Sequence, residues 1–472
     1  MPADAGRPPA TPPVDPRPPE AVREILGRLR SAGFAAYLVG GSLRDALLGR
    51  GPTDWDVATS ALPEQVRDLF PGSFYQNRFG TVLVRHAGTR SEVTTFRREY
   101  LYGDHRRPDH VEFTTSLDED LARRDFTVNA LAWSPEAPGA GGTVGPILHD
   151  PFGGRADLVA GIIRAVGDPA QRFEEDALRM LRAVRFAATL GFTIEPVTLG
   201  AIRANAGLAA TLSGERLFGE LRRMLAATRP SAALRPMAEA GLLGVALPEV
   251  AAQRGIPQDK VPGLDLWEHT LATVDAAPDR PAVRLAALLH DVGKPATLAD
   301  GGFPGHDRAG AEMAARILRR LAVPRDQADA VVHLVRQHMF SYEPSWSGAA
   351  VRRFIRRVGA EVIDDLLDLR AADNAGSGLP AGAGRLPELR ARVAAELAAG
   401  APLRLADLAI DGDDLLRELG LAPGPEIGRL LGGLLEVVLN DPDANTAERL
   451  LAEARRSRGD AERDPVPGEP GR

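Results

Sequence analysis

The sequence predicts an α+β chain: a small mixed-sheet head followed by a long all-α body. Three observations carry this. Before about residue 165, short apolar and β-branched runs alternate with helical stretches and glycine turns. From about Asp168 onward the helical period takes over and strand signals fade. A Gly/Ala/Pro-rich connector at Gly376–Gly384 then divides the helical part.

The elements follow in order. Residues 1–18 are Pro-rich and are expected to be extended or disordered. Glu20–Ala32 has helical periodicity through Val22, Ile25, Leu26 and Leu29. It leads into FAAYLV (Phe34–Val39), a short apolar run bounded by glycine that reads as a buried strand. Gly40 and Gly41 allow a sharp turn with no side chain between peptide N–H groups and a ligand. Ser42 is the expected N-cap of the next helix, whose free N–H groups attract phosphate, and Arg44 falls in its first turn. TDWDVAT reads as a strand, on which Asp54 and Asp56 share one face. Two such carboxylates form a hard-oxygen site for Mg²⁺ shared with substrate phosphates. A helix at Pro63–Phe70 and a hairpin of TVLVR (Thr81–Arg85) and EVTTF (Glu92–Phe96) complete a small mixed sheet. Glu92 becomes a third carboxylate if its strand lies beside Asp54 and Asp56; otherwise it is an edge glutamate facing water. EYLYGDHRRPD (Glu99–Asp109) is polar and turn-rich.

Composition narrows the class. The 472-residue chain has room for several domains and carries a formal charge of −7. It has no cysteine, so neither disulfides nor thiolate zinc sites are available and a reducing, cytoplasmic setting is expected. No apolar run approaches the ~20 residues that span a bilayer. Only Lys260 and Lys294 are lysines, so 55 of the 57 basic residues are arginine. The negative total argues against wholesale coating of nucleic acid but not against a local basic track.

GGSLRDALLGRGPTDWD resembles the signature of class II tRNA nucleotidyltransferases and bacterial poly(A) polymerases, within the DNA polymerase beta superfamily. The resemblance runs tightly from Tyr37 to Phe192. It implies a nucleotidyltransferase head in which Asp54 and Asp56 bind Mg²⁺ and Gly40, Gly41, Ser42 and Arg44 hold the triphosphate. EDLARRDFTVNALA (Glu119–Ala132) suits a helix against the sheet. Its Arg-Arg-Asp resembles the family motif that contacts nucleotide and ribose, which implicates Arg124 and Asp125, with Asn129 in support.

FEEDALRMLRAVRFAATL carries Arg179, Arg182 and Arg185 at every third residue of an expected helix over Glu174–Leu190. Asp176 and Arg179 are then adjacent, either as an intrahelical ion pair or as base readers. A carboxylate accepts from the exocyclic amine of C or A, and a guanidinium donates to the neighbouring acceptor. The stretch resembles the family's amino-acid template, which implies selection of CTP and ATP, with Arg182 and Arg185 neutralising phosphate or fixing the pair. The segment with Tyr102, Asp104, Arg106 and Arg107 resembles the family's flexible loop and looks complete, favouring terminal A addition. RFGTVLVRH lacks the longer basic signature of the poly(A) branch.

In the body, His269, the adjacent His290 and Asp291, and Asp373 appear in the order of HD phosphohydrolases. Such ligands suit a transition metal more than magnesium, and His306 and His338 would extend one metal site to two. A metal-free scaffold is the competing reading. The arginines of AVRRFIRRVG either touch an RNA backbone or form a solvated face.

The expected organisation is a tail (1–18), head (19–165), helical neck and RNA-binding domain (166–261), HD-type domain (262–375), C-terminal helices (376–457) and a disordered tail (458–472). The expected function is template-independent addition or repair of the tRNA 3′-CCA end from CTP and ATP. The tRNA and the two triphosphates are the partners; no membrane is involved and the oligomeric state is not legible. A-only addition, poly(A) synthesis, metal-dependent phosphohydrolysis and non-catalytic RNA binding are the alternatives.

Overall fold

The computed structural model describes residues 15–52, 54–77, 80–100, 110–135, 146–257 and 264–463. The chain divides into two compact units, residues 1–252 with 317–323, and residues 253–316 with 324–472.

The first unit contains the head. Helix α1 (Glu20–Ser31) is followed by β1 (Ala36–Val39), α2 (Gly40–Leu47), β2 (Trp55–Thr59), α3 (Pro63–Leu69), β3 (Phe74–Asn77), β4 (Thr81–His86) and β5 (Thr89–Thr95). Then come β6 (Arg97–Tyr100), β7 (His110–Phe113), α4 (Leu117–Ala122), β8 (Ala132–Ser134) and β9 (Ile147–His149). Seven strands form one mixed sheet in the order β3-β4-β5-β2-β1-β8-β9. Only β2 and β5 run parallel within it.

Register fixes the two faces, because side chains alternate along each strand. One cross-strand row reads Phe74–Leu83–Glu92–Asp56–Val39–Ala132–His149. The neighbouring row, Val82–Val93–Val57, points the other way and is wholly buried. That reverse face meets α1, whose Val22, Ile25, Leu26 and Leu29 are themselves fully buried. Each such side chain contributes roughly 1.5–3 kcal/mol. One side of the sheet is therefore core, and the acidic row lies on the other.

The expected hairpin is β4–β5. Ala87 (φ 45°) and Gly88 (φ 77°) take the left-handed turn that tight hairpins need. Glu99–Asp109 begins within strand structure, since β6 pairs with β7 across it. Residues 101–109, including Tyr102, Asp104, Arg106 and Arg107, lie outside the described residues. The expected helix over Glu119–Ala132 is corrected: α4 ends at Ala122, Arg123–Asp125 form a turn, and a 3-10 turn spans Thr127–Asn129.

The head closes with α5 (Gly154–Ala160), and the neck continues with α6 (Pro169–Glu175), α7 (Leu178–Leu190), α8 (Pro196–Asn205) and α9 (Gly214–Leu225). The expected single helix over Glu174–Leu190 is thus two helices. Asp176 (φ −148°, ψ 102°) is extended, and its carboxylate caps the backbone N–H of Leu178 at 3.0 Å.

In the second unit, helices Leu266–Ala276, Pro281–Leu289, Arg325–Gln337 and Ile363–Gly376 pack together. The C-terminal helices close a separate cluster around Leu415, Leu434, Val438 and Leu450. The last helix extends to Arg463, past Arg458 where a disordered tail is expected. Among the described residues, no helix is long and apolar enough to cross a membrane.

Candidate active site and a second histidine-aspartate cluster

The Gly40–Gly41 turn sits where β1 hands the chain to α2. Gly40 has φ 74°, and a Cβ there would stand 3.1 Å from Asp56 Oδ2 and 3.2 Å from Arg124 Nη1. The left-handed backbone favours glycine here, and any side chain would press on Asp56 and Arg124. Ser42 is not the N-cap, because the helix already begins at Gly40. Its hydroxyl instead donates to Val39 O (3.1 Å) and accepts from the backbone N–H of Asp56 (3.0 Å), tying α2 to β2.

Asp56 lies in β2 directly opposite Glu92 of β5, so the condition for a third carboxylate is met. Asp54 stands exposed just before the strand. Burial pushes the Asp56 carboxyl up to about 6, and the charges of Glu92 and Asp54 add to this against the opposing pull of Arg124 and Ser42. A buried carboxyl raised further by two neighbouring carboxylates is where a divalent cation would be held most favourably.

Beside this row opens a cavity of about 530 Å³. Gly40, Gly41, Asp56, Thr81 and Thr94 form its sheet side, and seven arginines line it against three aspartates. Arg124 overhangs the glycine turn, with Nη2 bonded to Asp120 at 3.1 Å. A buried relay links the motifs. Arg44 donates to Asn129 (2.7 Å), Asn129 to Asp125 (3.0 Å), and Arg182 to Asp125 (2.7 Å). Burial alone would raise Asp125, but the Arg182 charge and the Asn129 bond outweigh it and hold the carboxyl at about 2. Arg44, Arg182 and Arg185 also crowd the Phe186 ring, at 4.9, 5.1 and 4.0 Å from its centroid.

Asp176 and Arg179 both line the cavity but are not paired with each other. Because Asp176 lies at the break between α6 and α7, it reaches Arg216 of α9 at 2.8 and 3.0 Å. Arg179 instead donates to Glu175 (2.6 Å), Arg172 O (3.1 Å) and Arg123 O (2.9 Å). Arg185 is outside the lining, bonded to Glu220 at 2.5 Å. Arg97, Phe186 and Arg216 are cavity residues the sequence reading missed. Phe186 was findable, since it lies one turn from Arg182 on the arginine stripe of α7. Arg216 offers no local signal.

In the second unit, the expected His269, His290, Asp291 and Asp373 converge, joined by His306 and His338. Two groups share Asp291: His269 with His290, and His306 with His338. The Nδ1 atoms of His290, His306 and His338 face the carbonyls of Ala287, Phe303 and Val335 (2.8, 2.8 and 2.7 Å). Donation there leaves each Nε2 lone pair aimed at Asp291. The Nε2 atoms of His306 and His338 are buried without a hydrogen-bond partner. Burial works against charging His269, yet bonds to Asp291 and Asp373 carry it up to about 9. Lys294 Nζ lies 2.6 Å from Asp291, a protein cation where the carboxylate invites one.

The mixed-sheet head, its acidic pair and the arginine-lined cavity define a nucleotidyltransferase of the polymerase beta type, carried on a chain with an HD-type helical domain. Residues 36–164 match the poly A polymerase head domain, 191–254 a probable RNA and SrmB-binding site of polymerase A, and 266–375 the HD domain. A CCA-adding enzyme of Geobacillus kaustophilus is 36% identical over 92% of this chain and 96% of its own length. One from Geobacillus stearothermophilus is 36% identical over 91% and 94%. The crystal structure of the Bacillus stearothermophilus CCA-adding enzyme in complex with CTP superimposes with a TM-score of 0.70 at 31% identity, covering 94% of this chain and 98% of that one. A Thermotoga maritima CCA-adding enzyme complexed with tRNA shares the fold, with a TM-score of 0.56 at 22% identity over 92% and 94%. The chain belongs to the family of CCA-adding enzymes.

Proposed function

We propose that this protein builds or repairs the 3′-terminal CCA of tRNA from CTP and ATP. The observation that carries this reading is Asp56, with Glu92 opposite it on the next strand, in the wall of a triphosphate-sized, arginine-lined cavity that also contains Asp176 and Arg179. Gly40 and Gly41 offer backbone N–H groups to the triphosphate, and Arg124 closes on it from above. Asp54, Asp56 and Glu92 are the residues that would hold Mg²⁺, which supplies charge neutralisation for the attacking and leaving oxygens. As an alternative to binding the metal, Glu92 would take the proton of the RNA 3′-hydroxyl as that oxygen attacks the α-phosphorus and pyrophosphate departs. Asp176 and Arg179 read the base, with Arg216 orienting the aspartate and the Arg44–Asn129–Asp125–Arg182 relay fixing the wall. Arg185 acts on Phe186 rather than on phosphate. The helical neck follows the acceptor stem by shape and backbone. The absence of cysteine supports a cytoplasmic location.

Incubation with tRNAs lacking CCA, CA or A tests the reading. CTP should extend the first two and ATP the third. Use of ATP alone on the tRNA lacking only A would mark an A-adding enzyme, and processive ATP incorporation without CTP a poly(A) polymerase.

The histidine-aspartate cluster supports a second, independent activity, metal-dependent phosphoester hydrolysis with a transition metal held by His269, His290, Asp291 and Asp373. Hydrolysis of a phosphodiester that disappears in His290→Ala, with nucleotide addition retained, is the expected result. Hydrolysis unaffected by His290→Ala would refute it.

A further inference from the structure

We propose that Phe74 and Arg85 form a platform on which one of the two last unpaired bases of the acceptor RNA stacks as its 3′-hydroxyl meets the carboxylates. This rests on the RNA-extending function proposed above and adds the place where the RNA end lies. The sheet register supplies the first argument. Phe74 is in the same cross-strand row as Glu92 and Asp56, on the same face, with β4 between. At about 4.8 Å per strand, Phe74 stands roughly 10 Å from Glu92 and roughly 14 Å from Asp56.

Exposure supplies the second. Phe74 is 56% exposed, on the edge strand of the sheet. An exposed phenylalanine in line with catalytic carboxylates is not core.

Charge supplies the third. The Arg85 guanidinium lies 5.4 Å from the Phe74 ring centroid, and Arg90 is its cross-strand partner on the same face. Neither makes an ion pair among the described residues. Aromatic faces interleaved with arginines are how proteins hold single-stranded nucleic acid without reading its sequence.

Position supplies the last. Along β5, Thr94 lines the nucleotide cavity, Glu92 comes next, and Arg90 lies beyond. Phe74, Leu83 and Arg85 are all outside the cavity lining. An in-line displacement puts attacking and leaving oxygens on opposite sides of phosphorus. With the triphosphate in the cavity, the attacking strand must approach over this far side.

The test compares wild type, Phe74→Ala, Phe74→Trp and Arg85→Ala on tRNA lacking CA, whose last two residues are both unpaired, and on twins with an abasic last or penultimate residue. Phe74→Ala should raise KM for tRNA ~10-fold while leaving KM for CTP unchanged, and Phe74→Trp should restore it. The penalty should vanish on one abasic twin, because the stack is already lost there. An equal penalty on intact and both abasic RNAs, or none on any, overturns the proposal; the first outcome would point to a structural role, the second to a protein partner at this edge. A binding titration of the same RNAs without nucleotide reads the platform directly, so a wild type that incorporates no CTP would count against the function and not against the platform.

Discussion

Replacing Asp56 with asparagine should stabilise the metal-free protein and abolish nucleotide transfer. In the fold this carboxyl titrates near 6, against 3.8 in the unfolded chain, because burial and then Glu92 disfavour its charge. The sign follows from linkage. Below about pH 3.8 the group is protonated in both states and the effect is absent. Between 3.8 and 6 the unfolded chain releases its proton first, so stability falls as pH rises, and above 6 the loss is complete. The full shift is worth about 3 kcal/mol, and partial exposure of the side chain reduces the expected gain to about 2 kcal/mol. Asparagine keeps the shape, and the backbone N–H that donates to Ser42 is untouched. Urea unfolding in chelator should therefore show Asp56→Asn more stable than wild type at pH 7.5 and indistinguishable from it near pH 3. Millimolar Mg²⁺ should close the gap at pH 7.5 by stabilising only the wild type. A variant no more stable than wild type at pH 7.5 in chelator, or a gap that persists at pH 3, would refute the claim that Asp56 is held in an anion-rich site awaiting a cation.

Gly40→Ala should raise KM for CTP and ATP at least tenfold and lower stability by about 1–2 kcal/mol, since the new Cβ meets Asp56 and Arg124 at a left-handed φ. Thermal unfolding and steady-state kinetics check both. Arg182→Ala strips the buried Asp125 of its charge partner and should cost about 3 kcal/mol, the low end for a broken buried pair because Arg182 is one-third exposed. Asp176→Ala and Arg179→Ala should lower discrimination of CTP over UTP by roughly 10–100-fold in kcat/KM, on the scale of losing a specific hydrogen-bonding partner. Arg216→Ala should do so through Asp176 alone, adding nothing in the double variant. Adding Ni²⁺ or Mn²⁺ should raise Tm of the wild type and not of Asp291→Ala, which loses the ligand common to both histidine pairs.

What the sequence revealed depended on how far apart the interacting residues are. The strand of Asp56 was legible because alternation along a strand is a local rule, but the sequence left Glu92 open between a third carboxylate and an edge glutamate, and only the β2–β5 register sets it opposite Asp56. The His-Asp cluster was legible because adjacent His290 and Asp291 anchor a recognisable order. The partner of Asp176 was not. Spacing within α6–α7 makes Arg179 its obvious neighbour, and FEEDAL contains neither glycine nor proline to announce a break. The break exists because the Asp176 carboxylate can cap Leu178 and bond Arg216 together, which an intact helix would prevent. That choice is made by a residue forty positions away. Ser42 failed for a related reason: its hydroxyl is spent on the backbone of β2, a contact formed only once the strand lies against the helix. In a chain with 55 arginines, composition cannot say which are paired, and tertiary structure separates them into relay, cavity and platform. Phe74 shows the converse. An apolar residue in a strand reads as core, and only its place at the sheet edge, in register with Glu92 and under Arg85, turns it into a surface with a use.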